Sequence, residues 1–264
     1  MLNDRFPVNP LQSKVVNSLK IVQLQAAVCA GFRIPKTIVS NRYDDIASFC
    51  ASVPQVCVKS YYAHGWRSED RDLQAITSKL DDISQFDRRS YEVMPHIYQE
   101  YINKRFEHRL TIFGNYHASI RIDMSRLRGQ AQVDWRSDLS YLSHVSPSNL
   151  PEEVIAKAKE VMRRCGLRFG TFDIAETSEG EYVFFEVNEA GQWLWIEAAC
   201  PDVRLLQPFC EFLISADDGF LGDPHEQIGG LDAESVLGAI QEDSRYKRIL
   251  DAEFPDRAEY LSEE

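Results

Sequence analysis

"GTFDIAETSEGEYVFFEVNEAG", residues 170–191, is the stretch on which the reading of this chain turns. Two apolar runs flank Ser178, Glu179, Gly180 and Glu181, a turn-forming composition, so the segment predicts a β-hairpin. Yet the first run carries Asp173 and the second carries Glu186 and Asn188. Centring the turn there sets Thr177 opposite Tyr182, Ala175 opposite Phe184 and Asp173 opposite Glu186. Strand side chains alternate between faces, so Glu186 and Asn188 share one, and Asp173 joins them from across the ladder. Cross-strand carboxylates with Cβ atoms roughly 4.5–5.5 Å apart repel one another. Two readings fit: a hairpin whose acids face water, or oxygen donors converging on a hard divalent cation such as Mg²⁺, which shares its oxygen ligands with phosphates. A slip of one residue in register would break the shared face.

Working outward, the helix after Asn149 has the clearest signal. Pro151, Glu152 and Glu153 suit a helix start, Val154, Ile155, Ala158, Val161, Met162 and Cys165 make one apolar face, and Gly166 stops it. Leu11 to Gly31 has helical periodicity through Val16, Leu19, Val22, Ala26, Ala27 and Ala30. A short strand "KTIVSN", a helix from Tyr43 to Cys50 and a strand "QVCVKSYY" follow. "AHGWRSEDR", spanning Ala63 to Arg71, is polar and predicts a loop, which serves either as a lid over a site or as plain surface. "EVMPHIYQEYI", "EHRLTIFGNYHASIRIDM" and "GQAQVDWRSD" predict antiparallel strands, with Gly114 and Asn115 as a hairpin turn. A helix is expected near "RLLQPFCEFLISADD". The pattern is α+β with mostly antiparallel sheet in at least two lobes.

The chain has 264 residues and a formal net charge of −12. From Leu221 onward it carries 12 acidic and 4 basic residues, so the excess sits in an acidic tail, and the body is near neutral. No basic stripe with interleaved aromatics is present, which argues against nucleic acid as a partner. No apolar run approaches the roughly 18 residues of a membrane span, and "MLNDRFPVNP" lacks signal-peptide architecture. The 6 cysteines are scattered without a C-x-x-C pair, as expected of reduced thiols in the cytoplasm. The 6 histidines form no H-E-x-x-H pair, and no G-x-S-x-G, G-x-G-x-x-G or Walker A sequence occurs. Zinc chemistry, a serine hydrolase elbow and the commonest nucleotide loops are thereby disfavoured.

"FDIA" together with "EVNEAGQWLWIE" resembles the metal-binding signature of ATP-grasp carboxylate–amine ligases. The likeness is strongest to microviridin-type peptide macrocyclases, the graspetide synthetases, and more distant to RimK-like ligases. The family places an Asp on one strand and Glu-x-Asn on the next to hold Mg²⁺ against ATP phosphates. The resemblance thus implies Asp173, Glu186 and Asn188 as metal ligands, with Glu189 standing where many relatives have Pro. Further segments match in order over roughly residues 8 to 218. "LKIVQLQAAVCAGFRIPKTIVSN" implies Lys20 as a phosphate lysine, and "VCVK" implies Lys59 as a second. "QEYINKRFEHRLTIFG" implies an adenine-binding hinge at Glu100, Tyr101 and Ile102, a ribose contact from Glu107, and Arg109 at the phosphate and acyl centre. "DWR" implies Arg136 near the reacting group, and Arg121 is a further phosphate candidate.

The fold so implied is ATP-grasp, with two lobes of antiparallel sheet clasping the nucleotide. Its expected divisions are a helical segment over 1–36, a central lobe over 37–104, a C-terminal lobe with the metal site over 105–220, and an acidic helical or mobile tail over 221–264. The family also has an N-terminal subdomain ahead of the helix holding Lys20, which this sequence lacks, so a partner chain or a homodimer is expected to supply it. The implied activity is an ADP-forming ligase that uses ATP and Mg²⁺. It activates a carboxylate of a peptide or amino acid as an acyl phosphate and joins it to an amine or hydroxyl, in peptide modification of the RiPP kind. The alternative is a non-catalytic nucleotide-binding or scaffold protein derived from such a ligase.

Overall fold

The structure is a computed structural model that describes residues 6–13, 19–61, 65–68, 71–74 and 76–222. The acidic tail beyond Gly222 lies outside the described residues, as does Val16 of the expected first helix. Among the described residues no helix is long and apolar enough to cross a membrane.

Two antiparallel sheets organise the chain. The smaller one has the order β1-β6-β2-β5, built from β1 (Thr37–Ser40), β2 (Val56–Ser60), β5 (Ser78–Leu80) and β6 (His96–Glu100). The larger has the order β11-β10-β7-β8-β9, built from β7 (Lys104–Phe113), β8 (Tyr116–Asp123), β9 (Val145–Pro147), β10 (Phe169–Thr177) and β11 (Tyr182–Asn188). Only Tyr101, Ile102 and Asn103 join the last strand of the first sheet to the first of the second. Gly114 and Asn115 form the β7–β8 turn as expected.

Each sheet has its own core, because each alternating strand offers one apolar face. Behind the small sheet, Ile46 of α2 (Tyr43–Ser52) packs with Val56, Leu80 and Tyr98, together with Tyr91 of α3 (Arg88–Glu92). Behind the large sheet, α1 (Lys20–Cys29) and α5 (Glu152–Cys165) cover Leu110, Ile112, Phe172, Ile174 and Phe184. The six residues that the periodicity assigned to the apolar face of α5 are all buried. Gly166 ends the helix with a left-handed φ of 64°, which a side chain would disfavour. The opposite face of the large sheet is covered at one end by α6 (Leu194–Ala199) and α7 (Leu206–Ser215), around Phe113, Phe169, Ile196 and Phe212. The rest of that face is free to line a cleft.

Two expectations are corrected. "AHGWRSEDR" is not a plain loop, since β3 (Gly65–Ser68) pairs with β4 (Arg71–Gln74) in a separate hairpin. Each of these strands has one large apolar residue, Trp66 and Leu73, too few to register as an alternating pattern. "GQAQVDWRSD" is not a strand but α4 (Gln130–Val133) followed by a 3-10 turn, Trp135–Ser137. Asp134 drives the change: its carboxylate accepts the backbone N–H of Arg136 and caps the turn.

Candidate functional site

The hairpin register explains how three oxygen-bearing side chains come together. Asp173 pairs with Glu186, and Thr171 pairs with Asn188. The two other expected pairs are off by one, since Ala175 faces Val183, Ile174 faces Phe184 and Glu176 faces Tyr182. A bulge at Asp173/Ile174, with Phe185 as the extra residue, absorbs the difference. On the other side of β10, Asp173 pairs with Arg109 and Ala175 with Glu107 of β7. Glu107, Arg109, Asp173, Glu186 and Asn188 therefore belong to one face of the sheet.

That face forms one wall of a cleft of about 570 Å³. The small sheet supplies the other wall, with Cys57, Lys59 and Gln99, and the hinge residues Glu100, Tyr101 and Ile102 close the end. Lys20, Arg136, Asp173, Glu186 and Asn188 all line it. Arg109 shares this face but is not among the residues that line the cleft, being 4% exposed. Its Nη1 donates to Asp173 at 2.6 Å and its Nη2 to the Gly191 carbonyl at 3.2 Å, so it braces Asp173 against the turn after β11. Gly191 is required there, because its φ is 80° and a Cβ would run into the rings of Phe169 and Trp193. Arg121 is corrected: it pairs with His108 on the opposite face of the sheet, stacks over Phe106 and lies outside the cleft. Arg109 and Arg121 sit on different strands, and the register across the Gly114–Asn115 turn sets Arg121 opposite His108, on the face away from the cleft.

Electrostatics divide the acids. Burial pushes Asp173 up to about 6, helped by Glu186 and Glu107 and opposed by Arg109. Burial would raise Glu186 as well, but the charges of Lys20, Lys59 and Arg136 outweigh it and hold this carboxylate well below its usual range. Lys20 is ion-paired directly to Glu186. Burial lowers Lys59 below its usual value, with Glu186 acting against the shift, and its ammonium lies 5.1 Å from the centroid of the Phe185 ring. Arg136 is anchored by two hydrogen bonds to Asp134, at 2.8 and 2.7 Å.

Several residues that position the site carry no motif. Gln23 of α1 accepts the N–H of Val187 at 3.0 Å and donates to its carbonyl at 2.9 Å, as a neighbouring strand would. Helix α1 thus delivers Lys20 to Glu186 and fixes the residue between Glu186 and Asn188. Lys104 forms a buried ion pair with Glu107, and Trp135 donates its indole N–H to the same carboxylate at 2.9 Å. Only the spacing Lys104 to Glu107 hinted at this in the sequence. Arg33 crosses between the lobes, ion-paired to Glu181 and 3.8 Å from Glu100 at the hinge.

Among the described residues no group of three or more His, Cys, Asp or Glu side chains is placed to hold a metal. The donors present are two carboxylates and an amide, all hard oxygens on one wall. That set fits Mg²⁺ if phosphates complete the shell, as is usual for this ion. The elevated Asp173 fits an added positive charge, whereas Glu186 is already matched by Lys20, which a bound cation would have to displace.

No protein-family model matches the sequence, and no curated protein matches it. Solved structures do. A RiPP-associated ATP-grasp ligase of Chryseobacterium gregarium, in complex with ADP and a leader and core peptide, superposes with a TM-score of 0.66 at 25% identity, over 72% of this chain and 56% of that one. The macrocyclase MdnC of Microcystis aeruginosa, bound with precursor peptide MdnA, gives a TM-score of 0.69 at 26% identity, over 80% and 66%. The macrocyclase MdnB of the same organism gives 0.62 at 25%, over 78% and 62%. The chain spans less than two thirds of the length of each of these structures. Two antiparallel sheets joined by a three-residue hinge, a cleft between them and these neighbours lead to one statement: the chain has the ATP-grasp ligase fold, in the form seen in RiPP ligases and macrocyclases.

Proposed function

We propose that the chain is an ADP-forming ligase that activates a carboxylate of a peptide and joins it to an amine or hydroxyl. The observation that carries this reading is the apposition of Asp173, Glu186 and Asn188 on one wall of the cleft to Lys59 on the other. Such a pairing of oxygen donors and a half-buried ammonium suits a metal-bound polyphosphate better than any uncharged ligand. Likeness to ligases bound with ADP and precursor peptides supports it.

In this reading adenine sits against the hinge at Glu100, Tyr101 and Ile102, while Lys59 and Lys20 hold phosphate oxygens. Asp173, Glu186 and Asn188 would hold Mg²⁺, which neutralises triphosphate charge when bound. Lys20 then exchanges Glu186 for a phosphate as ligands arrive. The peptide carboxylate oxygen attacks the γ-phosphorus, the bond to the β-phosphate oxygen breaks, and ADP leaves. The amine or hydroxyl next attacks the acyl carbon, loses its proton and expels inorganic phosphate. Arg136 lines the cleft beside Glu186 and Asp173 and stabilises charge on the transferred group. Arg109 keeps Asp173 in place. The work of the protein is positioning and charge neutralisation, with no covalent intermediate on the chain. Six unpaired cysteines support a reducing compartment, the cytoplasm.

A second reading, a nucleotide-binding protein without turnover, is favoured by one observation: Glu186 and Asp173 are each already neutralised by a cation of the chain itself. Substrate-stimulated ADP release separates the two. Purified chain with Mg-ATP and a Ser/Thr/Lys- and acid-containing precursor peptide should release ADP and dehydrate the peptide by one water per bond, read by mass spectrometry. Tight Mg-ATP binding with no ADP released for any peptide would establish the second reading.

A further inference from the structure

The two lobes are fastened to each other beside the hinge and again at Thr77. At the hinge, Arg33 spans Glu181 and Glu100. At the second place, two side chains of the large lobe grip the backbone of the small one. Gln130, the first residue of α4, donates to the Thr77 carbonyl at 2.6 Å. Asp134, which follows α4, accepts the Thr77 N–H at 3.1 Å. Both polar groups of one residue's backbone are thus engaged, as a paired strand would engage them. Thr77 directly precedes β5, and β5 pairs with β2, the strand that carries Lys59.

Asp134 is where this fastening meets the chemistry. Its side chain is 4% exposed. The same carboxylate accepts from the Arg136 guanidinium at 2.8 and 2.7 Å and from the Arg136 N–H at 3.2 Å. Its Oδ2 is shared, taking the Thr77 N–H from one lobe and Arg136 Nη2 from the other. Burial alone would raise this carboxyl, but Arg136 and the two N–H groups outweigh it and hold the group below its usual range. Thr77, Asp134 and Arg136 all line the cleft. Parting of the lobes would take Thr77 from Oδ2 and free the carboxylate to turn, and the guanidinium bonded to it would turn as well.

We propose that Gln130 and Asp134 latch the Thr77 backbone, and that Arg136 keeps its orientation toward the transferred group only while this latch is closed. Gln130 and Asp134 are positioning residues, acting through Arg136. This rests on the ligase reading above and adds how closure of the cleft reaches the reacting centre.

The test disturbs the latch from each lobe without altering Arg136 itself. Gln130→Glu keeps the size of the side chain and sets an acceptor against a carbonyl, whereas Gln130→Lys restores a donor. Thr77→Pro removes the N–H from the opposite lobe. The first readout is amide hydrogen exchange of the full chain, followed by mass spectrometry. Gln130→Glu should speed exchange roughly two- to tenfold, the scale of one hydrogen bond, in the segments carrying Thr77 and Arg136. Exchange in α5 should not change, and Gln130→Lys should stay close to wild type. Unaltered exchange at Thr77 overturns the latch, and a change at Thr77 without one at Arg136 overturns the coupling. The second readout is peptide-stimulated ADP release. Gln130→Glu and Thr77→Pro should each lower kcat several-fold, and neither should lower it further in an Arg136→Gln background. Losses that simply add in that background overturn the coupling, since they would act through the fold and not through Arg136. If Thr77→Pro fails to fold, Gln130→Glu decides alone. A wild-type chain that releases no ADP defeats the ligase reading instead, and hydrogen exchange then still decides the latch.

Discussion

The two walls of the cleft handle charge in opposite ways. On the large sheet every acid is matched at rest: Glu186 by Lys20, Asp173 by Arg109, Glu107 by Lys104. Next to them Asp134 is matched by Arg136. On the small sheet Lys59 has an aromatic ring for a neighbour and a pKa lowered by burial. The first wall is built to stay as it is, and the second is built to be satisfied by something else. An enclosed cation without a contacting carboxylate costs folding energy, and such a cost persists where a ligand offsets it.

Glu186→Gln tests the first wall and should have the largest effect. If Glu186 is a metal ligand, loss of one of two carboxylates should cut peptide-stimulated ADP release by at least ~100-fold, beyond the usual effect of an outer-shell partner. Retained circular dichroism would show that the fold survives. Activity near wild type would remove Glu186 from the metal site and erase the distinction between the walls.

Lys59→Met tests the second wall. ATP affinity should fall about tenfold, the scale of one charge-assisted contact. Thermal stability should hold or rise, because folding no longer buries that charge. A variant that both binds ATP normally and unfolds earlier would show that Lys59 belongs to the self-matched class after all.

The smallest effect is on pH and lies outside the cleft. On the helix-covered face of the large sheet, His108 bonds Ser148 at 2.8 Å and Glu176 at 2.8 Å, with Arg121, Glu107 and Tyr182 nearby. Burial lowers its pKa from 6.5, and Glu176 only partly opposes this. Below 6.5 the unfolded chain takes up a proton that the folded one resists, so stability is full above that pH and declines as pH falls toward the folded value. His108→Gln should flatten the fall in melting temperature between neutral pH and pH 5 without altering ATP affinity. An unchanged pH profile would place the cause elsewhere.

Much of this was legible in the sequence because it depends on alternation. The hairpin, the pairing of Asp173 with Glu186 and the apolar face of α5 all follow from a period that residues either keep or break. The bulge at Phe185 was not legible, since a single extra residue leaves the composition of a strand unchanged. Centring the turn one residue differently and adding a bulge happened to give the same partner for Asp173. The 3-10 turn at Trp135–Ser137 was missed because the aliphatic alternation of Ala131 and Val133 outweighed a local cap from Asp134. Arg121 was misplaced for want of the β7–β8 register. Gln23 and Trp135 were invisible because their partners are 164 and 28 residues away, distances that mean nothing until the chain is folded, while Lys104, 3 residues from Glu107, left only a hint.

The strand that bears Glu186 ends its sheet, which would ordinarily leave a row of open peptide groups for a second molecule to zip onto. Here the backbone of Arg33 takes the N–H of Phe184 at 2.9 Å, and Gln23 closes the position at Val187. The sheet cannot be extended at that seam without displacing α1. The helix that carries Lys20, with the segment after it, therefore also covers open backbone groups on the strand that bears Glu186.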